Sequence, residues 1–125
     1  MYQYPNYLCK RRYRTFHQYV IMAKVVWTKD AIALADEWLI EAEKMFGIKT
    51  KNKLKQAYTD ITRRLAIMPR IGPLDEIFME EDGEFRFLHA NKALKVCYRV
   101  VDDDNVIIFA VLHVKMNSKT QRTFL

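Results

Sequence analysis

The chain has 125 residues, half of them apolar or aromatic, which is enough for one domain with a sizeable hydrophobic core. Its two cysteines, Cys9 and Cys97, fit neither a disulfide framework nor a metal-binding spacing, and no stretch approaches the roughly 20 apolar residues of a membrane span. The net charge of +6 includes +4 from a basic cluster in residues 10–14, so residues 22–125 are nearly neutral and a general polyanion-binding protein is not favoured.

Residues 1–21 are aromatic and basic, and they follow neither a helical nor an alternating pattern. They lack the apolar core of a secretion signal, so a cytoplasmic protein is expected. A natural beginning at Met22 predicts that residues 1–21 are a disordered or mis-assigned extension, and that residues 22–125 form a single domain. The alternative is a nucleic-acid-binding arm, because tyrosine, phenylalanine and arginine can stack on bases and neutralise phosphates.

The domain is predicted to begin with a short strand and a helix. Lys24–Thr28 is rich in β-branched and aromatic residues, which favours a strand. Thr28 or Asp30 can cap the helix that follows, which is predicted to run over about Asp30–Phe46 and to end at Gly47. Its apolar face is predicted from the spacing of Ile32, Ala35, Trp38, Leu39, Ala42, Met45 and Phe46.

A second helix is predicted to pack antiparallel on the first, because the two are joined by a very short turn. Pro69 ends it, and its apolar stripe consists of Leu54, Ala57, Tyr58, Ile61, Leu65 and Met68. The exposed side of the first helix is acidic and that of the second is basic. The candidates for binding a phosphate or an acidic partner are Lys51, Lys53, Lys55, Arg63 and Arg64. These charges can equally pair across the hairpin or face water.

Three consecutive antiparallel strands are predicted after the loop at residues 70–73. Residues around Asp82-Gly83 form either a hairpin or a tight acidic turn. In residues 84–89, Arg86 and Leu88 lie on one face, and Phe85, Phe87 and His89 on the other. In residues 93–101, Leu94, Val96, Tyr98 and Val100 face the core, and Lys95, Cys97 and Arg99 face away.

The last strand is the centre of the predicted sheet. Val106–Leu112 is a continuous apolar run, which is typical of a strand covered on both faces. The fold class is therefore α+β, with an amino-terminal strand and an antiparallel helical hairpin packed on a small antiparallel sheet in the order β-α-α-β-β-β. The strand leads into His113, Lys115, Asn117 and Lys119, so titratable and basic groups lie at the rim of a rigid sheet.

The order of these segments resembles the RelE/ParE superfamily of toxins from type II toxin-antitoxin systems. The likeness covers about residues 22–119, through VVWTKDAIALADEWL, LAIMPRIGP, EFRFL, LKVCYRV and VIIFAVLHVKMN. The long hairpin and the ending VLHVKMN are more similar to the ParE branch, whose members poison DNA gyrase, than to the RelE branch, whose members cut mRNA on the ribosome. The resemblance implies a growth inhibitor that is neutralised by an antitoxin encoded beside it, which would bind the helical hairpin and the sheet edge near Arg86.

The RelE-like alternative implies an mRNA endoribonuclease with basic and acid-base groups in one site, for which the chain offers Arg86, Arg99, His113 and Lys115. Arg86 matches the family's common arginine, and His113 lies at its common histidine position. Many RelE-type nucleases use a carboxy-terminal tyrosine, but no tyrosine follows Tyr98 here, which favours the gyrase-directed action unless His113 serves in place of the tyrosine. Arg86 can also simply pair with the acidic loop, and His113 can hydrogen-bond its neighbour. A decayed toxin retained as a binding protein is a further alternative.

Neither a cofactor nor a metal is predicted. With three glycines, the chain has no glycine-rich phosphate-binding loop. The histidines His17, His89 and His113 are far apart in sequence and have no carboxylate or cysteine at metal-ligand spacing. Cys97 lies in the middle of a strand and is expected to be an inert packing residue.

Overall fold

The computed structural model describes the backbone of residues 12–15, 18–79 and 81–125, and the side chains of residues 22–79 and 81–125. The elements in chain order are β1 (Arg12–Thr15), β2 (Gln18–Ile21), β3 (Lys24–Trp27), α1 (Lys29–Phe46), α2 (Ile48–Ile67), a 3-10 helix (Glu76–Phe78), β4 (Glu84–His89), β5 (Leu94–Asp102), β6 (Asn105–His113) and α3 (Ser118–Arg122). β1 and β2 pair antiparallel as a separate hairpin, which the sequence pattern did not indicate. The disordered or mis-assigned extension and the nucleic-acid-binding arm stay predictions, because residues 1–11, 16 and 17 and the side chains of residues 1–21 lie outside the described part of the chain.

Local sequence signals account for the helical hairpin. Thr28 is the cap of α1, and its side-chain oxygen accepts a hydrogen bond from the backbone N–H of Ala31 at 3.1 Å. Gly47 alone separates α1 from α2, with a φ of +93° that favours glycine. The Tyr58 hydroxyl of α2 donates to the carbonyl oxygen of Ala35 in α1, at 3.4 Å. The predicted antiparallel pair of helices is confirmed.

The sheet has the strand order β3-β6-β5-β4, so β6 is an inner strand as predicted. β4, β5 and β6 form an antiparallel meander, whereas β3 pairs parallel with β6. The sheet is therefore mixed, not wholly antiparallel. β3 and β6 are far apart in sequence, and the helices and two strands between them provide the crossover that a parallel pair requires. The predicted α+β fold is otherwise confirmed.

Both faces of the sheet are covered. The helical hairpin packs on one face and forms the main core, with Tyr58, Leu65, Tyr98 and Ile108 fully buried in it. A second core lies on the opposite face and contains Phe78, Phe85, Cys97, Ala110 and Leu112, with Met116 and Phe124 packed against them. The 3-10 helix and the carboxy-terminal segment thus cover the side of the sheet that the hairpin leaves open.

The second core changes the environment of β5. Lys95 and Cys97 face away from the hairpin, as predicted, but they are buried, and Arg99 is exposed. Burial raises the pKa of the Cys97 thiol to about 12, which agrees with an unreactive packing role. Residues 76–78 form a 3-10 helix and not a strand, so Asp82-Gly83 lies in a turn, the second of the two predicted alternatives.

The ends of the predicted apolar stripes are exposed. Met45, Phe46 and Met68 are 64%, 72% and 55% exposed, because the stripes continue past the part of the hairpin that the sheet covers. Among the residues that the structure describes, no helix combines the length and the apolar character needed to cross a membrane.

Candidate functional site

Arg86 lies on β4, at an edge of the sheet that another part of the chain already occupies. Residues 72–78, here called the strap, pass from the hairpin face of the sheet around this edge to the second core. The backbone N–H of Asp75 donates to the carbonyl of Phe85 at 2.8 Å, and that of Phe87 donates to the carbonyl of Pro73 at 3.2 Å. The strap therefore pairs with β4 as a short additional strand, and a partner strand would have to displace it there.

The Arg86 guanidinium holds the strap. Its Nη1 donates to the carbonyl oxygen of Gly72 at 2.7 Å, and its Nε donates to Glu84 at 2.6 Å. The backbone N–H of Gly72 donates to the hydroxyl of Tyr98 at 3.0 Å. A Cβ at Gly72 would collide with the carbonyl oxygen of Phe87, so only glycine fits. Arg86 thus has the structural role that the sequence offered as an alternative, because it pairs with Glu84. Its other partner is the backbone carbonyl of Gly72.

Arg70 completes an ionic network with Glu84. The Arg70 guanidinium contacts Glu84 at 3.1 Å and Asp103, in the turn between β5 and β6, at 2.5 Å. Burial by itself raises the pKa of the Glu84 carboxyl, but hydrogen bonds from Arg86 and Arg70 outweigh it and hold this pKa below its ordinary value. Sequence reasoning missed Arg70. Its partners are apparent only in the folded chain, where the loop at residues 70–73 lies next to the turn between β5 and β6.

Arg99 does not share a face with Arg86. In the register of β4 and β5, Arg86 is opposite Tyr98 and Phe85 is opposite Arg99, so the two arginines point to opposite sides of the sheet. Arg99 lies over the ring of Phe85, 5.9 Å from its centre, on the side of the second core. There it borders a cavity of about 360 Å³ that Leu125 also lines.

His113 is the last residue of β6, on the hairpin face, and its ring centre is 6.0 Å from that of Trp38. The backbone N–H of Lys115 donates to His113 Nδ1 at 3.0 Å, so the neutral ring carries its proton on Nε2. The Lys115 side chain is exposed.

Arg86 and His113 are also far from each other. They pair with Tyr98 and Leu94 of the intervening strand, positions roughly 13 Å apart along β5. Arg86, Arg99, His113 and Lys115 are therefore not brought together in one place.

The basic residues of α2 do not form one continuous surface. Lys51 pairs across the hairpin with Glu43 of α1 at 3.0 Å, and Lys55 is half-buried. Arg63 is 3.7 Å from Asp60 on its own helix. The exposed members of the predicted set are Lys53, Arg63 and Arg64.

A groove that sequence reasoning did not indicate lies between the hairpin and the ends of β5 and β6. Its volume is about 340 Å³, and it is lined mainly by apolar side chains of both helices and of the start of β5. Trp38 forms part of its wall, and its indole N–H donates to the carbonyl of Val111 at 3.0 Å. Within residues 22–79 and 81–125, no three His, Cys, Asp or Glu side chains are grouped to hold a metal ion.

A sheet with this strand order, covered on one face by a helical hairpin, is the fold of the RelE/ParE superfamily of toxins. The family model described as "ParE toxin of type II toxin-antitoxin system, parDE" matches residues 25–118, and the chain belongs to this family.

A solved structure of the chromosomal ParDE toxin-antitoxin system from P. aeruginosa is similar with a TM-score of 0.60 and 20% sequence identity, over 75% of this chain and 98% of that chain. At this identity the likeness supports the fold alone. No curated protein matches the chain.

Proposed function

We propose that this type II toxin inhibits growth by acting on DNA gyrase in the cytoplasm, and that an antitoxin encoded beside it neutralises it. Membership of the ParE family, whose model is described as that of a type II toxin, supports this proposal. The observation that carries the choice of gyrase over mRNA is the separation of Arg86, Arg99 and His113.

Cleavage of RNA requires an acid-base group and cationic side chains around one scissile phosphate. Arg86 and Arg99 lie on opposite faces of the sheet, and two donors of Arg86 are used on Glu84 and on the strap. A gyrase poison acts by binding and needs no such convergence. The exposed basic side chains of α2, Lys53, Arg63 and Arg64, are then candidates for contacting the target, because their charges are accessible.

The direct test is to induce the chain in a bacterial host and to follow the incorporation of labelled thymidine, uridine and methionine during the first minutes. We expect thymidine incorporation to fall first, with DNA strand breaks. An early fall in methionine incorporation, with messages cut within codons, would establish the ribosome-dependent endoribonuclease instead. Normal growth with soluble, folded protein would identify a decayed toxin. Co-induction of the neighbouring gene should restore growth if it encodes the antitoxin.

Two lengths of the chain test the proposal that residues 22–125 are the toxic domain. Induction of Met22–Leu125 should inhibit growth as strongly as induction of the full chain, because the sheet that matches the ParE family begins at β3. A shorter chain that folds but no longer inhibits growth would mean that residues 1–21 take part in the action.

Single substitutions distinguish the two targets. We expect His113→Ala to remain toxic, because a gyrase poison needs no acid-base group at this position. The matched comparison is Arg64→Ala, an exposed change on α2 that we expect to weaken both toxicity and the inhibition of purified gyrase in a supercoiling assay. If a folded His113→Ala protein is harmless while Arg64→Ala is fully toxic, the gyrase proposal fails.

A further inference from the structure

A cavity of about 420 Å³ lies between the strap and the end of the sheet, and it shares no lining residue with the groove beside the hairpin. The strap forms one wall. The other wall consists of the end of β4, of Lys95 from β5 and of Val114, which follows β6. The uncharged side chains of the lining are Pro73, Leu74, Ile77, Phe87, His89 and Val114. The volume and the largely apolar lining are those of a small-molecule site.

Two rings of β4 form the aromatic part of the wall. Phe87 and His89 are two residues apart on the strand, so they lie on the same face of the sheet. Their ring centres are 5.4 Å apart and their planes meet at 83°, which is an edge-to-face contact. His89 is exposed and Phe87 is half-buried, so both rings can be reached from the cavity. A ligand with a flat ring is favoured, because aromatic pairs gain energy beyond the area that they bury.

The Lys95 ammonium is a buried donor that is only partly used. Its side chain is 6% exposed and lines the cavity, and its Nζ donates to Asp75 at 2.7 Å. An ammonium carries three N–H donors, and no other residue of the described chain accepts a hydrogen bond from Lys95. The Phe87 ring attracts the charge from 5.2 Å, but a ring is a weak acceptor. An oxygen atom in the cavity would therefore gain a strong donor.

The charges around the cavity favour an uncharged ligand. Lys95 and Asp75 neutralise each other, because their side chains form a buried pair. An anion on Lys95 would meet the Asp75 carboxylate and also Glu76, which is exposed at the rim and forms no ion pair with a residue that the structure describes. A cation would be repelled by the Lys95 ammonium. A neutral carbonyl oxygen can accept from Lys95 without either repulsion.

We propose that this cavity binds a small uncharged ligand that carries a carbonyl group on a flat ring, of the chemical class of aromatic and cyclic amides. The carbonyl oxygen accepts a hydrogen bond from Lys95, and the ring packs against Phe87 and His89. Because the ligand contacts both walls, it also holds the strap against the sheet. This site goes beyond the action on gyrase and does not depend on it.

Four small probes test this chemistry on the purified full chain by NMR titration. Benzamide carries the ring and the neutral carbonyl, benzoate and benzylamine carry a ring with a negative or a positive charge, and acetamide has no ring. We expect benzamide to shift the amide signals of His89 and Val114 and the side-chain signals of Lys95. Acetamide should bind at least about tenfold more weakly, because it buries no ring. Benzoate and benzylamine should each bind at least about threefold more weakly than benzamide.

Hydrogen exchange of the strap gives a second, independent measurement. A ligand that bridges the strap and the sheet favours the closed state of the strap, so benzamide should slow the amide exchange of residues 73–78. Exchange in α1 should not change, because α1 contributes no residue to the cavity. Binding that leaves the exchange of the strap unchanged would show that the ligand does not lie between the two walls.

Matched variants locate the site. Val114→Trp places an indole at the wall of the cavity and should abolish the benzamide shifts, whereas Val101→Trp, at an exposed position outside the cavity, should leave them unchanged. If Val114→Trp does not fold, Glu76→Lys provides a second comparison. It should strengthen the binding of benzoate at least about threefold and change that of benzamide little. Glu81→Lys, the same change outside this cavity, is its control.

Four results would overturn the proposal: no binding of benzamide, equal affinity for all four probes, tightest binding of a charged probe, or shifts that map outside the cavity. Lys95 and Asp75 would then form a structural pair without a ligand. Growth inhibition is measured on induced cells and not on the purified chain, so a failed ligand site and a failed gyrase proposal give different results.

Discussion

Lys95 and Asp75 form a buried ion pair in the second core, at 2.7 Å and with side chains only 6% and 3% exposed. The Lys95 ammonium also lies 5.2 Å from the centre of the Phe87 ring, and Asp75 accepts the backbone N–H of Ile77 at 3.2 Å. The pair thus connects β5 to the strap and to the first turn of the 3-10 helix. Removal of either charge leaves the other buried without its partner.

We expect Lys95→Met to lower the free energy of unfolding by about 3–5 kcal/mol, as measured by urea denaturation. Asp75→Asn in the same background should cost much less than it does alone, because no unpaired charge remains. The matched control is Lys51→Met, which breaks the partly exposed pair with Glu43 and should cost under about 1 kcal/mol. Equal costs for Lys95→Met and Lys51→Met would mean that burial of the first pair does not matter.

Glu84 gives the fold a defined dependence on pH. Its folded-state pKa is lower than its ordinary value because Arg86 and Arg70 outweigh the effect of burial. The contribution of the Glu84 carboxylate to the free energy of unfolding is therefore fully present above the unfolded-state pKa of about 4.3. It is lost as the pH falls through the lower, folded-state pKa.

We expect the free energy of unfolding to fall more steeply for the native chain than for Glu84→Gln when the pH is lowered from about 5 to 3. The two proteins should differ most near neutral pH and converge in acid. A constant difference between them across this range would show that the carboxylate charge of Glu84 contributes nothing.

At the scale of elements, the position of the strap depends on one residue, Gly72. Gly72 is held between the Tyr98 hydroxyl and the Arg86 guanidinium, and a Cβ would collide with the carbonyl of Phe87. The helical hairpin does not depend on Gly72, because α2 ends at Ile67, before the strap begins. A change at Gly72 should therefore release the strap before it unfolds the helices.

We expect Gly72→Ala to raise the amide hydrogen exchange of residues 73–78 strongly, while exchange in α1 and β6 changes little, and to cost about 1–3 kcal/mol of stability. Leu74→Ala is the control, because Leu74 belongs to the same strap but is 56% exposed. Uniformly faster exchange throughout the chain would mean that the strap and the hairpin open as one unit.

The elements that could be predicted from the sequence are those determined by neighbouring residues. The cap at Thr28, the stop at Gly47 and the apolar run of β6 are local signals, and each has its predicted role. The burial of Lys95 could not be foreseen, because it depends on a strap and a tail that are distant in sequence. Strand alternation gave each arginine a face, but only the register of β4 and β5 shows that Arg86 and Arg99 lie on opposite sides.

At the scale of the whole molecule, the sheet separates two cores of unequal size, and the carboxy-terminal segment closes the smaller one. Met116 and Phe124 pack against the second core. Gln121 is 1% exposed, and its amide nitrogen donates to the carbonyl of Met116 at 2.5 Å, which fixes α3 against the segment that precedes it. Residues 115–125, the tail, are thus a structural part of the domain. Their deletion changes the stability of the fold as well as any contact with a target.

We expect deletion of residues 115–125 to lower the free energy of unfolding by about 2 kcal/mol or more and to increase the binding of an apolar dye, because Phe109 and Leu112 lose their cover. Lost toxicity in this variant would then report a damaged fold. The double variant Lys119→Ala/Arg122→Ala removes exposed charges from α3 and should leave urea unfolding unchanged, so its toxicity alone reports target contact. If the deletion leaves stability and dye binding unchanged, the tail does not seal the second core, and any loss of toxicity must come from the target.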